Sequence, residues 1–419
     1  MSQSYLNVGE NREETTEGRE IFNKLVMRCF FQDFQKDALT KEIIGCKMHD
    51  TVHDFVQFLT QNECFTMEAT STRGIETSSA NDTTKPRPGD KVRHLTLMFA
   101  DEDDFPSSIV NCEILRTLAT FDSRITSIDS NLIRRLKRLR TLNLSRNLIW
   151  KVPEEIGDLM HLRYIDLSRN FVLRELPDSV CNLYSLQTLR LDGCEQLAKL
   201  PDNMGKLINL KHLHVDGCRA LRYLPKGIGS IRNLRTLDWL HLAHLDDDVV
   251  FDQNDSPFIF MKATPSILPP LGKLPSLKVL KLRGIFRLEE IGGEFFGVEE
   301  TSSSSFPSLE TLVLDYLRKF EKWELGRAEA EDSCNSQMKS ISIMPRLSSL
   351  YIVACHKLKE LPDFLLQNAP LQNLLIRSCY SLGSLPDEFI SPIPNVSIIG
   401  SGVDPFIKGR KIDYDPSED

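Results

Sequence analysis

The sequence predicts an α/β solenoid, a horseshoe whose concave face is a parallel β-sheet, preceded by a small winged-helix segment. Three observations carry this. The stretch LRTLNLSRNLIWKVPEEIGDLMH (139–161) is followed at once by LRYIDLSRNFVLRELPDSVCNLYS (162–185). The same frame recurs along most of the 419 residues. Ahead of it, residues 17–68 show helix-like and strand-like hydrophobic patterns that do not repeat.

The N-terminal segment comes first. EGREIFNKLVMRCFFQ sets Phe22, Leu25, Val26 and Cys29 at helical spacing, KEIIGCKM is a short strand-like run, and HDTVHDFVQFLTQNECF places Val52, Phe55, Val56 and Leu59 on one helical stripe. Helix, hairpin, helix describes a winged helix over residues 1–68. DNA binding is a familiar use of that fold, but the second helix carries Asp50, Asp54 and Glu63, with no Lys or Arg between His49 and Phe65. His49 and His53 sit four apart like the ligands of a zinc helix, yet Asp50 stands where the general-base Glu would be and no third ligand is apparent. Capping and surface roles are expected for them. Residues 69–90 are polar with two prolines and read as a flexible linker.

The repeats occupy residues 91–400. Leu139, Leu142, Leu144 and Asn147 set the pattern L-x-x-L-x-L-x-x-N/C, and it is filled again from Leu162 to Asn170, Leu186 to Cys194 and Leu210 to Cys218. The units start 23, 24 and 24 residues apart, a period of stacked supersecondary units: this is a leucine-rich repeat. Looser copies extend it upstream through Leu115 and Val92, and downstream through Leu234, Leu277 and Leu309; good copies return at Leu347 and Leu371, with a last turn near Ile393. About a dozen turns fit.

The physics of the spacing is direct. In L-x-L alternate residues of a short strand face opposite ways, so the leucines point inward and the residue between them outward. The Asn or Cys sits where the chain bends inward and can satisfy buried backbone groups. The second half of each unit, such as Leu176-Pro177 with Val180 and Leu183, ends the extended segment at proline and packs an apolar pair on the convex side. No turn covers its own leucines, so stability comes from neighbours. Three intervals are long, at 43, 32 and 38 residues from Leu234, Leu277 and Leu309, and their extra residues read as surface loops. Residues 401–419 read as a polar tail.

Composition excludes other classes. Hydrophobic residues at 41% and charged residues at 26% are those of a folded soluble protein, and a net charge of −8 argues against a general affinity for nucleic acid or anionic membrane. No run of apolar residues is long enough to span a membrane and the opening lacks a secretory pattern. A cytoplasmic location is expected, and four of the ten cysteines fall at one repeat position, which suits a reducing compartment. The glycosylation patterns at Asn143 and Asn395 are then chance matches. No nucleophile, base and orienting residue can be assembled, so no enzyme is expected.

MHD at Met48, His49 and Asp50, within CKMHDTVHDFVQFLTQNECF directly upstream of leucine-rich repeats, resembles plant intracellular immune receptors of the coiled-coil, nucleotide-binding, leucine-rich-repeat class. RCFFQDFQKD is similar to their winged-helix segment, and MPRLSSLYIVACHKLKELPD to their C-terminal repeats. The resemblance implies a protein-recognition and autoinhibition module in plant defence, apparently truncated, whose partners are a pathogen effector, a guarded host protein or the receptor's own nucleotide-binding module. A generic leucine-rich scaffold is the alternative. Full-length members bind ADP or ATP through a G-x-x-x-x-G-K-[ST] loop, which does not occur here. Of that site the resemblance leaves only His49, one hydrogen bond worth roughly 0.5–3 kcal/mol against the ~8 needed for micromolar affinity, so no cofactor is expected.

For recognition, the residues between the two strand leucines form the expected concave column: Asn143, Asp166, Arg190, His214, Asp238, Lys281, Val313, Tyr351 and Leu375. The column after the second leucine adds Ser145, Ser168, Asp192, Asp216, Arg283, Asp315, Val353 and Arg377. Charge gives way to apolar character along them. The expectation is self-contact in the early turns and ligand recognition in the late ones.

Overall fold

The computed structural model describes residues 14–36, 43–60, 63–68, 91–99, 105, 109, 112–221, 224–240, 268, 270–285, 288–297, 304–323, 342–362, 364–365, 370–383 and 385–400. The linker 69–90, the extra residues of the long intervals at 241–267, 298–303 and 324–341, and the tail 401–419 lie outside them.

The N-terminal segment folds as its periodicity requires. Helix α1 (Glu14–Met27) leads into an antiparallel hairpin of β1 (Phe31–Lys36) and β2 (Ile43–Met48), followed by α2 (Asp50–Thr60). His49 caps α2, its carbonyl accepting from the amides of Val52 and His53 at 2.9 Å. No residue of α2 is buried: Phe55 and Leu59, expected on a packed stripe, are 61% and 62% exposed, and Phe58 joins them. Val52 and Val56 on the same face are partly covered, whereas Phe55, Phe58 and Leu59 stand exposed.

The solenoid is built on one 13-stranded parallel sheet. In chain order its strands are β3 (Cys64–Glu68), β4 (His94–Met98), β5 (Thr117–Phe121), β6 (Thr141–Asn143), β7 (Tyr164–Asp166), β8 (Thr188–Arg190), β9 (His212–Val215), β10 (Thr236–Leu240) and β11 (Val279–Arg283). It continues past two short side strands, β12 (Glu290–Ile291) and β13 (Ser304–Ser305), to β14 (Thr311–Asp315). After the partners of those side strands, β15 (Lys322–Trp323) and β16 (Ser342–Ile343), come β17 (Ser349–Val353), β18 (Asn373–Arg377) and β19 (Asn395–Ile399). β3 is a correction to the sequence boundary: residues 64–68, placed with the winged helix, pair in parallel with β4 from Cys64↔His94 to Glu68↔Met98. They carry no L-x-x-L-x-L frame, but Phe65 and Met67 alternate as an inward pair and pack on the core.

The leucine rows form the core. Leu142, Ile165, Leu189, Leu213, Leu237, Leu280, Leu312, Leu350 and Leu374 stand in register from strand to strand, none more than 2% exposed. Each such side chain gains about 1.5–3 kcal/mol from burial, available only because the next turn covers it. On the convex side short 3-10 helices, Glu154–Asp158, Asp178–Asn182, Asp202–Lys206 and Lys226–Ser230, each begin after a proline and bury Ile156, Val180, Met204 or Ile228. In the later turns the filling is aromatic: Phe295, Phe296 and Phe306 lie with ring centroids 5.0–6.3 Å apart, and Phe296 reaches Trp323 and Phe364.

Six turns close through an Asn or Cys at one buried position, Asn147, Asn170, Cys194, Cys218, Cys355 and Cys379, and Ile285 and Leu317 hold that position in two others. Asn170 Nδ2 donates to the carbonyls of Leu144 and Leu167 at 2.9 and 2.7 Å, and its Oδ1 accepts from the Ile149 amide at 3.0 Å. Asn147 does the same between neighbouring turns. Cys194 and Cys218 donate through sulfur to Leu167 and Leu191 carbonyls, both at 3.1 Å. Just before this residue the backbone turns left-handed, at Arg146, Arg169, Gly193, Gly217, Gly284, Tyr316, Ala354 and Ser378.

Candidate recognition surface

Three rows of side chains face out from the strands. The middle row runs in register through Asn143, Asp166, Arg190, His214, Asp238, Lys281, Val313, Tyr351 and Leu375, as the repeat frame predicts. A third row, ahead of the first strand leucine, was missed on sequence: Thr141, Tyr164, Thr188, His212, Thr236, Val279, Thr311, Ser349 and Asn373. Its signal was the recurring Thr in L-x-T-L. It is laced by side-chain hydrogen bonds, His212 Nδ1 with Thr236 Oγ1 at 3.1 Å and Asn373 Nδ2 to Ser349 Oγ at 3.0 Å.

Two members of the middle row are not open to contact. Val313 is fully buried, a short side chain between Lys281 and Tyr351 on the adjoining strands. Asp166 is only 7% exposed, because the Ser168 amide and hydroxyl donate to its Oδ1 and the Tyr164 hydroxyl to its Oδ2. Asn143 is turned onto its own loop, accepting from the Ser145 amide at 3.1 Å.

The charges of the early and middle turns are spent largely on one another. Arg190 donates to Asp192 through Nε and Nη2 at 3.1 and 2.9 Å and lies 3.7 Å from Asp166. His214 Nδ1 is 2.6 Å from Asp238 Oδ2, with Lys281 Nζ 4.0 Å from the other oxygen. Arg283 spans Asp216 and Asp315 at 3.3 and 3.2 Å, the second contact close in distance but not aligned as a hydrogen bond. Burial pushes the Asp216 and Asp315 carboxyls above their ordinary range, only partly offset by Arg283. Burial acts the same way on Asp238, but the His214 hydrogen bond and the charges of Lys281, His214 and Arg283 overcome it, and its carboxyl falls. His212 moves down to about 4, through burial first and then His214, Arg235 and Lys211. The late turns differ: Tyr351 and Leu375 pair in register, Val353 lies two residues beyond Tyr351 on the same strand, and all three are partly exposed.

Met48, His49 and Asp50 are exposed at the β2–α2 junction. The His49 imidazole is engaged by its neighbour, Nδ1 lying 2.7 Å from Thr51 Oγ1, and His53 contacts Asp54 and Gln57 at 3.3 and 3.2 Å. No group of three ligating side chains suited to a metal occurs among the described residues. No helix among them is long and apolar enough to cross a membrane.

Two family models match the chain. One, described as a leucine-rich repeat region, covers residues 91–248, and the other, described as a disease resistance protein winged helix domain, covers residues 1–56. A Solanum bulbocastanum protein named for disease resistance, RGA1, is 30% identical over 174 residues, 42% of this chain and 14% of that protein. The Arabidopsis thaliana disease resistance protein RPS5 is 27% identical over 177 residues, 40% of this chain and 18% of its own length. The matched stretch is thus a small part of either relative. Among solved structures, the leucine-rich-repeat protein LIC12759 of Leptospira interrogans aligns over 74% of this chain and 84% of its own at 18% identity, with a TM-score of 0.32. That likeness adds nothing to the fold already described.

Proposed function

The chain carries the winged-helix and leucine-rich-repeat modules of plant nucleotide-binding disease resistance proteins, and we propose that it serves plant defence as a cytoplasmic protein-recognition and autoinhibition module. One observation carries the proposal: the outward rows pass from charges paired with one another, between Asp166 and Asp315, to the half-exposed Tyr351, Val353 and Leu375. Paired charges exchange partners readily with a second charged surface, since each loses one contact as it makes another. Such contacts give orientation and specificity more than affinity. An aromatic and apolar group on a rigid sheet instead supplies the buried anchor that dominates binding energy.

The early turns therefore hold the receptor's nucleotide-binding module, and the late turns take a pathogen effector or a guarded host protein. ADP or ATP belongs to that nucleotide-binding module. Within the motif Met48, His49 and Asp50, we assign His49 as the residue that contributes to it. The role is one of binding, with no reaction assigned to any residue.

The test is association in trans with the nucleotide-binding module of a full-length relative such as RGA1. Arg190→Glu is expected to weaken it about tenfold, roughly one such charge pair. Tyr351→Ala with Leu375→Ala is expected to leave it unchanged. Sensitivity of the late pair and indifference at Arg190 would reverse the assignment.

A further inference from the structure

To one side of the concave sheet, the loops that leave β6, β7 and β8 build a second surface that the proposal above does not use. Each loop passes its left-handed residue, buries its Asn or Cys, and runs back along the flank before the proline. Leu148, Trp150 and Phe171 are left 40%, 57% and 48% exposed there. Trp150, Lys151, Val172, Arg174, Ala198 and Lys199 line a shallow groove of about 1000 Å³ across the three turns. Backbone bonds fix the neighbours rigidly: the Arg146 amide donates to the Ser168 carbonyl at 2.8 Å and the Ala198 amide to the Arg174 carbonyl at 2.9 Å.

On this flank cations outnumber anions: Arg146, Lys151, Arg169, Arg174 and Lys199 stand against Glu175 and Glu195. Arg146, Lys151, Arg169 and Arg174 are exposed, and none has an ion-pair partner among the described residues. On the concave face Arg190, Lys281 and Arg283 are paired, and on the flank so are Lys199 with Glu175 at 3.5 Å and Arg219 with Glu195 at 3.6 Å. Single exposed apolar residues or solvated lysines need no explanation. Here uncompensated cations accompany exposed aromatic side chains, Lys151 and Arg174 in the groove with Trp150, and Arg146 and Arg169 in the same loops, in a chain whose net charge is −8.

We propose that this flank is a docking surface for an acidic peptide segment carrying apolar side chains, on a partner distinct from the one held by the concave face. The apolar side chains would cover Trp150, Val172 and Ala198, and the carboxylates would pair with the guanidinium groups of Arg146, Arg169 and Arg174, whose planar forks suit bidentate contact. Nucleic acid fits less well. Val172 and Ala198 offer no stacking face for bases.

Fluorescence anisotropy of the full chain with a labelled peptide alternating Asp with Leu and Trp, beside the same peptide with Asn for every Asp, tests the proposal. The acidic peptide is expected to bind about tenfold tighter or more at low salt. Trp150→Ala, and separately Arg146→Glu with Arg169→Glu, are each expected to weaken it about tenfold or more, while Tyr351→Ala on the concave face leaves it unchanged. These flank side chains are exposed, and thermal melts of the variants confirm that each is folded before binding is read. Equal affinity for the two peptides, or affinity that survives both flank variants, overturns the proposal. So does tighter binding of a single-stranded oligonucleotide, or self-association that Trp150→Ala abolishes, which would give the patch to nucleic acid or to a second copy. The Tyr351→Ala control separates failure here from failure of the concave-face proposal.

Discussion

Leu189 and Arg190 are adjacent in β8 and face opposite ways, so they measure the inside and outside of the sheet directly. Leu189 is fully buried, whereas Arg190 is half-exposed and holds Asp192 and Asp166. Leu189→Asp is expected to cost about 4 kcal/mol or more, because an unpaired carboxylate replaces a core contact. Arg190→Asp does not unpack the core but leaves three carboxylates together, so its expected cost is about 1–2 kcal/mol. Urea midpoints of the two variants check this, and equal losses would mean that the strand register is wrong. His212 gives a prediction in pH. Its imidazole falls from 6.5 to about 4 on folding, so as pH drops below 6.5 the unfolded chain takes up the proton first. The associated stability is whole above pH 6.5 and is lost as pH falls toward 4, about 3 kcal/mol in all. His212→Gln, which keeps a hydrogen-bonding group beside Thr236, is expected to lose less stability than the wild type over that range. Parallel losses in the two proteins would show that His212 is not responsible.

At the scale of the repeating element, stability turns on one buried side chain per turn. Asn170→Ala strands the Ile149 amide in the core and takes one donor each from the Leu144 and Leu167 carbonyls, which keep Asn147 and Cys194, and is expected to cost about 2–3 kcal/mol. A loss under about 1 kcal/mol in urea unfolding would show that water takes over the Ile149 amide. This position was legible in the sequence, because Asn147, Asn170, Cys194 and Cys218 recur at a fixed distance from their leucines. The left-handed residue just before it was not. Its occupants, Arg146, Arg169, Gly193, Tyr316 and Ala354, share no chemistry, and the backbone there is set by the need to bend. The leucine frame sets which residues share a row from strand to strand but not how far each is exposed. Asp166 is covered by Tyr164 and Ser168 within its own turn, and Val313 sits between longer side chains on two other strands, neighbours known only once the strands are paired. β3 was missed for a related reason: its inward residues are Phe65 and Met67, which match the strand period of two but not the leucine spacing.

Across the whole molecule the sheet is a line of nearest-neighbour contacts, since each strand of the solenoid bonds only to those before and after it. Even the interval of 43 residues after Leu234 leaves β10 paired with β11 over five residues in unbroken register. Such an array transmits a defect by proximity rather than through a common core. Leu213 in β9 is fully buried between Leu189 and Leu237, and truncation to alanine removes contacts with both neighbouring turns. Leu213→Ala is expected to cost about 2–5 kcal/mol, and the cost should be local. In hydrogen exchange the amides of β8, β9 and β10 are expected to lose protection by about that amount, while those of β17 and β18, several turns away, keep theirs. A uniform loss from β4 to β18 would show that the turns unfold as one unit. Retained protection in the late turns would mean that the surface around Tyr351 and Leu375 keeps its shape whatever happens in the early ones, as two contact regions on one solenoid require.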